Sequence, residues 1–314
     1  MLRESWIGGF ALEPSTATPD KADFLREYTI TEEEFEKSQL DWSVLCEIRC
    51  HYVSRSLELQ NVANSISQTL QQVPSIHSLK VRVKDPDHLI EKIIRKQLEH
   101  VERPDDRLTY ADCTPETYDS RITDLVGIRA LHLFKEQWLE IHDFIERTWE
   151  PQEPPIAYIR EGDDTQFFQA VGCKTQPHKF RYRSVHYLIK SSPTKRIYLA
   201  ELQVRTIFEE AWAEIDHKVR YPRQSEDEVL AALLLTFSLV VGFADELGSF
   251  TRLLSHHLRN KTEEIAVAKG ELQKKISEIG MGQEERAQVQ EKSTNWSGRQ
   301  QSPMPVRPQP QDWG

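Results

Sequence analysis

The sequence contains few cysteines, and their spacing matches no metal-binding pattern. Among 314 residues there are four cysteines, Cys46, Cys50, Cys113 and Cys173, without the paired short spacings that zinc sites use. The N-terminal residues do not resemble a secretory signal peptide. Both absences favour a reducing, cytoplasmic setting.

An excess of positive charge is missing as well. The chain has 40 lysines and arginines against 50 acidic residues, which gives a formal net charge of -10 and an isoelectric point near 5.6. A protein that coats nucleic acid or membranes through its bulk charge has the opposite sign. Local basic patches are still compatible with this composition.

The main apolar run is shorter than the roughly 20 residues that a helix needs to cross a bilayer. It spans residues 229–244, contains Thr236 and Ser238, and has acidic residues close to both ends. We therefore predict a buried helix in a water-soluble protein for this segment.

Residues 197–221 are predicted to form a strand that leads directly into a helix. In the first half the side chains alternate with period two, and one face carries Glu201, Gln203 and Arg205. From Ile207 onward, apolar residues recur at three- and four-residue steps, as in an amphipathic helix. A solvated edge strand is the simplest interpretation of the polar face, but similar polar clusters elsewhere in the chain argue against it.

A second polar cluster is predicted where a strand, residues 77–83, enters a helix. Asp85 followed by Pro86 is a favourable helix start. The cations expected to meet at this junction are Arg82, Lys84 and Lys92. Such a cluster suits a polyphosphate, whereas a solvated basic helix is the alternative interpretation.

Two further strands carry polar residues near their starts. Asp124 stands just before a strand predicted for residues 126–134, where a carboxylate either binds a metal ion or forms a turn. In the strand predicted for residues 182–190, Tyr182 shares a face with His186. This pair suits stacking on a base and hydrogen bonding to a phosphate, although an exposed tyrosine is also common in strands.

Four segments together resemble the RelA/SpoT-type alarmone synthetase domain. In chain order they are RVKDPDHLIEK, RITDLVGIR, YRSVH and ELQVRTIFEEAWAEIDHKVRY. The resemblance covers roughly residues 25–221 and implies an α/β (α+β) fold: a nucleotidyltransferase-like mixed β-sheet flanked by helices, with a C-terminal helical extension. It also implies a GTP diphosphokinase-like enzyme that transfers pyrophosphate from ATP to the 3′-hydroxyl of GDP or GTP with Mg²⁺.

The resemblance also implies roles for individual residues. Asp124 and Glu201 are the implied catalytic and metal-binding carboxylates, with Glu201 activating the attacking hydroxyl; two carboxylates around a hard cation suit this transfer. The implied ATP-binding residues are Arg82, Lys84, Lys92 and Arg129. The acceptor-binding residues are Tyr182, His186, Gln203 and Arg205, to which we add Lys179 from the basic loop before Tyr182.

Two positions depart from the family's pattern and leave the acceptor open. His88 stands where serine is more usual, and Arg181 where glycine is often found, so bulk and charge are added beside the acceptor pocket. An adenine nucleotide or the 3′ end of tRNA is the alternative acceptor. A basic patch that could hold an acceptor end consists of Lys174, Lys179, Arg181 and Arg183. A non-catalytic nucleotide-binding module is the alternative from a different functional class.

The predicted domain organisation has four parts. They are a flexible N-terminal arm (1–24), a synthetase domain (25–224), C-terminal helices (225–281) and a disordered tail (282–314). No segment resembles the family's hydrolase or regulatory domains, so we expect a stand-alone small synthetase. The C-terminal helices are expected to complete the core, and support of a homo-oligomer interface is the other role considered for them.

Overall fold

A computed structural model describes most of the chain and shows a mixed α+β fold. A seven-stranded sheet is flanked by helices, and a long helix follows at the C-terminal end, in agreement with the predicted fold class. The described residues are 18–103, 109–160, 163, 165–178, 183–220, 227–278 and 288. Residues 1–250 form one compact unit and residues 251–314 a second.

The helices and strands occur in the following order. The helices are α1 (Lys21–Glu27), α2 (Glu32–Ser38), α3 (Trp42–Ser54), α4 (Ser56–Leu70), α5 (Pro86–Glu102), α6 (Tyr118–Arg121), α7 (Trp138–Thr148), α8 (Gln166–Gln169), α9 (Ile207–Arg220) and α10 (Glu228–Glu278). The strands are β1 (Ser78–Val83), β2 (Val126–His132), β3 (Glu150–Pro151), β4 (Ile156–Ile159), β5 (Lys174–Pro177), β6 (Ser184–Ser191) and β7 (Tyr198–Thr206). A short 3₁₀-helix, Lys135–Gln137, precedes α7.

The sheet is mixed, with the order β1-β2-β7-β6-β4-β5, and β3 pairs with β6 beside β4. Strands β2 and β7 run parallel at its centre, as do β4 and β5 at one edge. The other pairings are antiparallel. The strand predicted at the start of residues 197–221 is therefore β7, which is paired on both sides and is not an edge strand.

The predicted alternation in β7 is confirmed, because one face of the strand forms part of the core. The side chains of Tyr198, Ala200, Leu202 and Val204 are at most 6% exposed. They pack with the apolar faces of the neighbouring strands, and α4 and α7 contact this sheet. The opposite face carries the polar residues, so the period-two pattern separates a packed face from a chemically active one.

The predicted start of α5 is also confirmed. The Asp85 side chain caps the helix by accepting hydrogen bonds from the backbone N–H groups of Asp87 (2.8 Å) and His88 (3.2 Å). Pro86 occupies the first turn, where its missing N–H costs nothing. This cap fixes the direction in which α5 leaves β1 and thus the position of its first turns.

One region predicted as a loop contains regular structure. Within residues 161–181, α8 is a single helical turn, and β5 pairs in parallel with β4. The pairing lengthens the sheet by one edge strand. The polar sequence of β5, KTQP, lacks the apolar alternation that predicts a strand.

The prediction of a buried helix for residues 229–244 is correct for the helix and wrong for its burial. This part of α10 buries only a narrow stripe, Leu234, Ser238, Val241 and Gly242, which Asp245 continues. Leu233 and Phe243 are 62% and 69% exposed. By length and composition alone α10 could also cross a membrane, a test that core helices of water-soluble proteins pass as well.

We predict that Leu202→Ala lowers the free energy of unfolding by about 2–5 kcal/mol, because Leu202 is fully buried in the central strand and its loss leaves a cavity. Urea denaturation followed by circular dichroism measures this change. Ile197→Ala is the matched control, since Ile197 is 64% exposed, and it should change stability by less than about 0.5 kcal/mol. Equal effects of the two substitutions would contradict the assignment of the two faces.

Candidate active site

The polar face of the sheet brings most of the described candidate residues together. In the β2–β7 register Gly127 lies opposite Glu201, and Arg129 lies opposite Gln203. On the other side of β7, His186 of β6 lies opposite Gln203. Side chains that are opposite each other share a face of the sheet, so segments far apart in sequence contribute to one surface.

Glu201 is held by two neighbours on this face. The Nδ1 atom of His186 lies 2.9 Å from its Oε1 atom, and the Gln203 side chain donates a hydrogen bond of 3.1 Å to the same oxygen. Burial on its own raises the pKa of Glu201, but the contacts with His186 and Gln203 outweigh it and leave the pKa below its usual value. The side chain is therefore ionised at neutral pH, and it is 27% exposed.

Asp124 lies at the entry of β2 between two lysines. Lys84 Nζ is 3.0 Å from Oδ2 and Lys92 Nζ is 2.9 Å from Oδ1. Burial favours a higher pKa for this carboxyl, but the two ammonium groups dominate and lower the pKa to about 2. The Tyr52 hydroxyl donates a 2.5 Å hydrogen bond to the backbone carbonyl of Lys84 and fixes this junction.

The two carboxylates influence each other electrostatically. The negative charge of Asp124 is among the causes that raise the pKa of Glu201, although its effect is weaker than that of the contact with His186, which lowers it. Asp124 stands three residues before Gly127, the register partner of Glu201. The predicted pair of acidic residues is thus brought to one region of the polar face.

Helix α9 supplies a third carboxylate, Glu210, which gathers cations from three strands. It lies 2.7 Å from Lys80, 3.1 Å from Arg129 and 2.7 Å from Arg205. Arg129 also forms an ion pair with Glu214 one turn further along the helix. Burial opposes ionisation of Glu210, yet the neighbouring arginines and lysine keep its pKa below the usual value.

The sequence reasoning missed the aromatic neighbours of His186. The ring of Tyr158 in β4 meets the His186 ring edge-on, with 4.7 Å between centroids, and the His178 ring at 5.6 Å. Burial, and to a lesser degree the nearby His186, lowers the pKa of His178, which favours a neutral ring. The alternation in β4 could have indicated that Tyr158 faces the polar side, but the short strand offered little pattern.

Three of the residues singled out in the sequence lie outside the described residues. They are Lys179 and Tyr182, assigned to acceptor binding, and Arg181 of the basic patch. Arg82 shares the polar face through its register with Gly127. Arg183, predicted to belong to a basic patch, is instead 16% exposed and paired with Glu209 and Asp245.

The donor set of the polar face suits a divalent cation such as Mg²⁺. Asp124 and Glu201 offer carboxylate oxygens, which Mg²⁺ prefers, and proteins commonly hold this ion with one or two carboxylates while phosphates and water complete its coordination. No cluster of three or more histidine, cysteine or acidic side chains suited to a metal occurs among the residues described by the structure. Water molecules and the oxygens of a bound phosphate would complete the coordination at a two-carboxylate site.

Comparisons with known proteins find similarity over part of the chain. Residues 81–226 match the profile described as "Region found in RelA / SpoT proteins". GTP pyrophosphokinase YwaC of Bacillus subtilis is 25% identical over 167 residues, which is 50% of this chain and 67% of that protein.

Two bacterial proteins are among the solved structures that match this chain. Small alarmone synthetase 1 of Bacillus subtilis, bound to its product pppGpp, is 17% identical and has a TM-score of 0.45, covering 62% of this chain and 92% of its own. A GTP pyrophosphokinase family protein from Streptococcus pneumoniae is 19% identical with a TM-score of 0.40, covering 70% and 93%.

We predict that Asp124→Asn lowers the free energy of unfolding by about 2 kcal/mol at neutral pH, because it leaves Lys84 and Lys92 without their ionised partner. A carboxyl group whose pKa is lower in the folded than in the unfolded protein stabilises the fold fully at pH values above its pKa in the unfolded protein. The difference between wild type and variant should therefore persist at pH 5–7 and shrink as the pH falls below about 4. Urea denaturation at several pH values measures it.

The control for this experiment is Asp112→Asn. Asp112 pairs with Arg121, but its side chain is 59% exposed, so the substitution should change stability by less than about 1 kcal/mol. A pH-independent difference for Asp124→Asn would contradict the proposed role of the lysines.

Proposed function

We propose that this chain, which carries a RelA/SpoT-type region at residues 81–226, transfers pyrophosphate from ATP to the 3′-hydroxyl of GDP or GTP. The observation that carries the proposal is the pair of ionised carboxylates, Asp124 and Glu201, on one polar face with the lysines of the β1–α5 junction. We expect the reaction in the cytoplasm, where nucleotides are abundant.

Glu201 is the proposed general base. Its depressed pKa keeps it ionised, and the contacts with His186 and Gln203 orient it. It would accept the proton of the acceptor hydroxyl as that oxygen attacks the β-phosphorus of ATP. The new oxygen–phosphorus bond forms while the bond from the β-phosphorus to the bridging α–β oxygen breaks, so AMP leaves.

Lys84 and Lys92 are the proposed binding residues for the ATP phosphates, with Arg82 beside them. Their ammonium groups face Asp124. A bound triphosphate would therefore either share these ammonium groups with Asp124 or replace Asp124 as their partner. A Mg²⁺ ion held by Asp124 and Glu201 would neutralise phosphate charge and align the reacting groups. Arg129 could contribute to phosphate binding only in competition with Glu210 and Glu214.

Acceptor binding is assigned to the β6 side of the polar face. His186 and Gln203 line it, and we add Tyr158 because its ring packs against His186. Arg205 keeps the role expected from the sequence, but it is 3% exposed and would have to leave Glu210 to reach an acceptor. Tyr182 and Lys179 keep the roles expected from the sequence. A guanine nucleotide is the proposed acceptor; an adenine nucleotide or tRNA would be detected by the experiment below.

Incubation with γ-³²P-ATP and Mg²⁺ tests the proposal, with GDP, GTP, AMP, no acceptor or bulk tRNA in separate tubes. The labelled γ-phosphate travels with the β-phosphate, so the acceptor that gains label is identified directly. We expect label on GDP and GTP. Label found only on AMP, or only on tRNA, would show that this molecule and not GDP or GTP is the acceptor. Nucleotide binding without any transfer would favour a non-catalytic module.

We predict that Glu201→Gln lowers kcat by at least about 100-fold, because the amide cannot accept the proton. The variant should still fold, since the amide can retain the contacts with its neighbours. The matched control is Glu150→Gln in the same sheet, whose carboxylate is 72% exposed and pairs with Lys190; its activity should stay within about twofold of wild type. Full activity of Glu201→Gln would overturn the assignment of the base.

A further inference from the structure

Four charged side chains form a buried ion cluster at one end of the sheet, away from the pair of candidate carboxylates. We define this cluster as Arg160, Arg183, Glu209 and Asp245. Both arginines donate to Glu209 Oε1, at 2.7 Å from Arg160 Nη2 and 2.8 Å from Arg183 Nε. Arg183 Nη2 also lies 3.4 Å from Asp245 Oδ2. The two positive and two negative charges balance.

Thr206 connects this cluster to the catalytic strand. It is the last residue of β7, and its hydroxyl donates a 3.0 Å hydrogen bond to Asp245 Oδ2. The Thr206 hydroxyl oxygen in turn accepts a 3.2 Å hydrogen bond from the backbone N–H of Glu209, which caps the start of α9. One hydroxyl therefore joins the strand end, the first turn of α9 and α10.

The cluster holds the ends of three neighbouring strands. Arg160 follows β4 directly, Arg183 precedes β6, and Thr206 ends β7. Each of these strands carries a side chain assigned to acceptor binding, two or three positions from the residue that contacts the cluster. These side chains are Tyr158 in β4, His186 in β6 and Gln203 in β7. Two further acceptor residues, Lys179 and Tyr182, lie between the two arginines in the sequence.

Asp245 is the member of the cluster that comes from outside the matched RelA/SpoT region. Its side chain is 1% exposed, and α10 approaches so closely that a methyl group at Gly242 would lie 2.0 Å from Arg160 Nη1. Burial raises the pKa of Asp245 to about 6, with the Thr206 hydrogen bond opposing this rise. At neutral pH it is therefore the ionised partner of Arg183.

We propose that Asp245 is a positioning residue for the acceptor site: through Arg183 and Thr206 it fixes the ends of β6 and β7, and with them His186 and Gln203. This inference rests on the proposed function and extends it to a residue of α10. The cluster also borders a cavity of about 480 Å³ lined in part by Trp138 and Phe168. The cavity gives Arg183 room to turn away once the charge of Asp245 is removed.

Asp245→Asn tests the inference, because it keeps the size of the side chain and removes its charge. We expect the KM for GDP to rise about tenfold, while kcat and the KM for ATP stay within about twofold. Gly242→Ala perturbs the same cluster through Arg160 and should shift the KM for GDP in the same direction. The control is Glu246→Gln: this neighbouring residue is 62% exposed and pairs with Lys135, and all three constants should stay unchanged.

Hydrogen exchange of the full chain separates this inference from the proposed function. In Asp245→Asn, peptides that cover residues 183–189 should exchange faster than in wild type and in Glu246→Gln. If wild type transfers pyrophosphate but the KM for GDP is unchanged in both cluster variants, the inference is overturned and the proposed function stands. If wild type transfers nothing, the proposed function is overturned, and hydrogen exchange alone tests the positioning role of Asp245. Unchanged exchange of residues 183–189 in Asp245→Asn refutes that role, and faster exchange supports it.

Discussion

The structure depends on one constraint, which is that an ionised side chain can leave water only in contact with an opposite charge. The sheet places cations on neighbouring strands, and acidic residues from other elements meet them. Asp124 at the start of β2 holds two lysines, and Glu210 of α9 holds one cation from each of β1, β2 and β7. Glu209 and Asp245 do the same at the acceptor end. These carboxylates determine which strands, helices and loops are fixed relative to one another.

This charge balance also bears on how a nucleotide would bind. A triphosphate carries several negative charges and must compete with Asp124 for Lys84 and Lys92, or with Glu210 for Arg129. A divalent cation reduces that competition, because it gives Asp124 a new partner while the lysines turn to phosphate. Metal and nucleotide are therefore expected to bind together, each lowering the cost of burying the other.

Much of the sheet could be predicted from local patterns, whereas ion-pair partners could not. The alternation before Ile207 and the Asp85-Pro86 helix start are local signals, and both agree with the structure. The choice of Glu210 as the partner of Arg129 depends on the β2–β7 register and on the direction of α9, which no short segment contains. The burial of α10 was overestimated for the same reason. An apolar run predicts a helix, but it does not show how much of that helix other parts of the protein cover.

The buried ion cluster is a weak contributor to stability for its size. Apolar side chains of similar volume often stabilise a protein as well as a buried ion pair does, because desolvation of the charges offsets their attraction. Charged groups, however, fix direction as well as distance: Arg183 must reach both Glu209 and Asp245, which restricts how β6 can begin. An apolar contact between β6 and α10 would allow small shifts of His186 and Gln203, the side chains proposed to bind the acceptor. Under the proposed function, the two carboxylates and two guanidinium groups at this position serve the geometry of the strand ends more than stability.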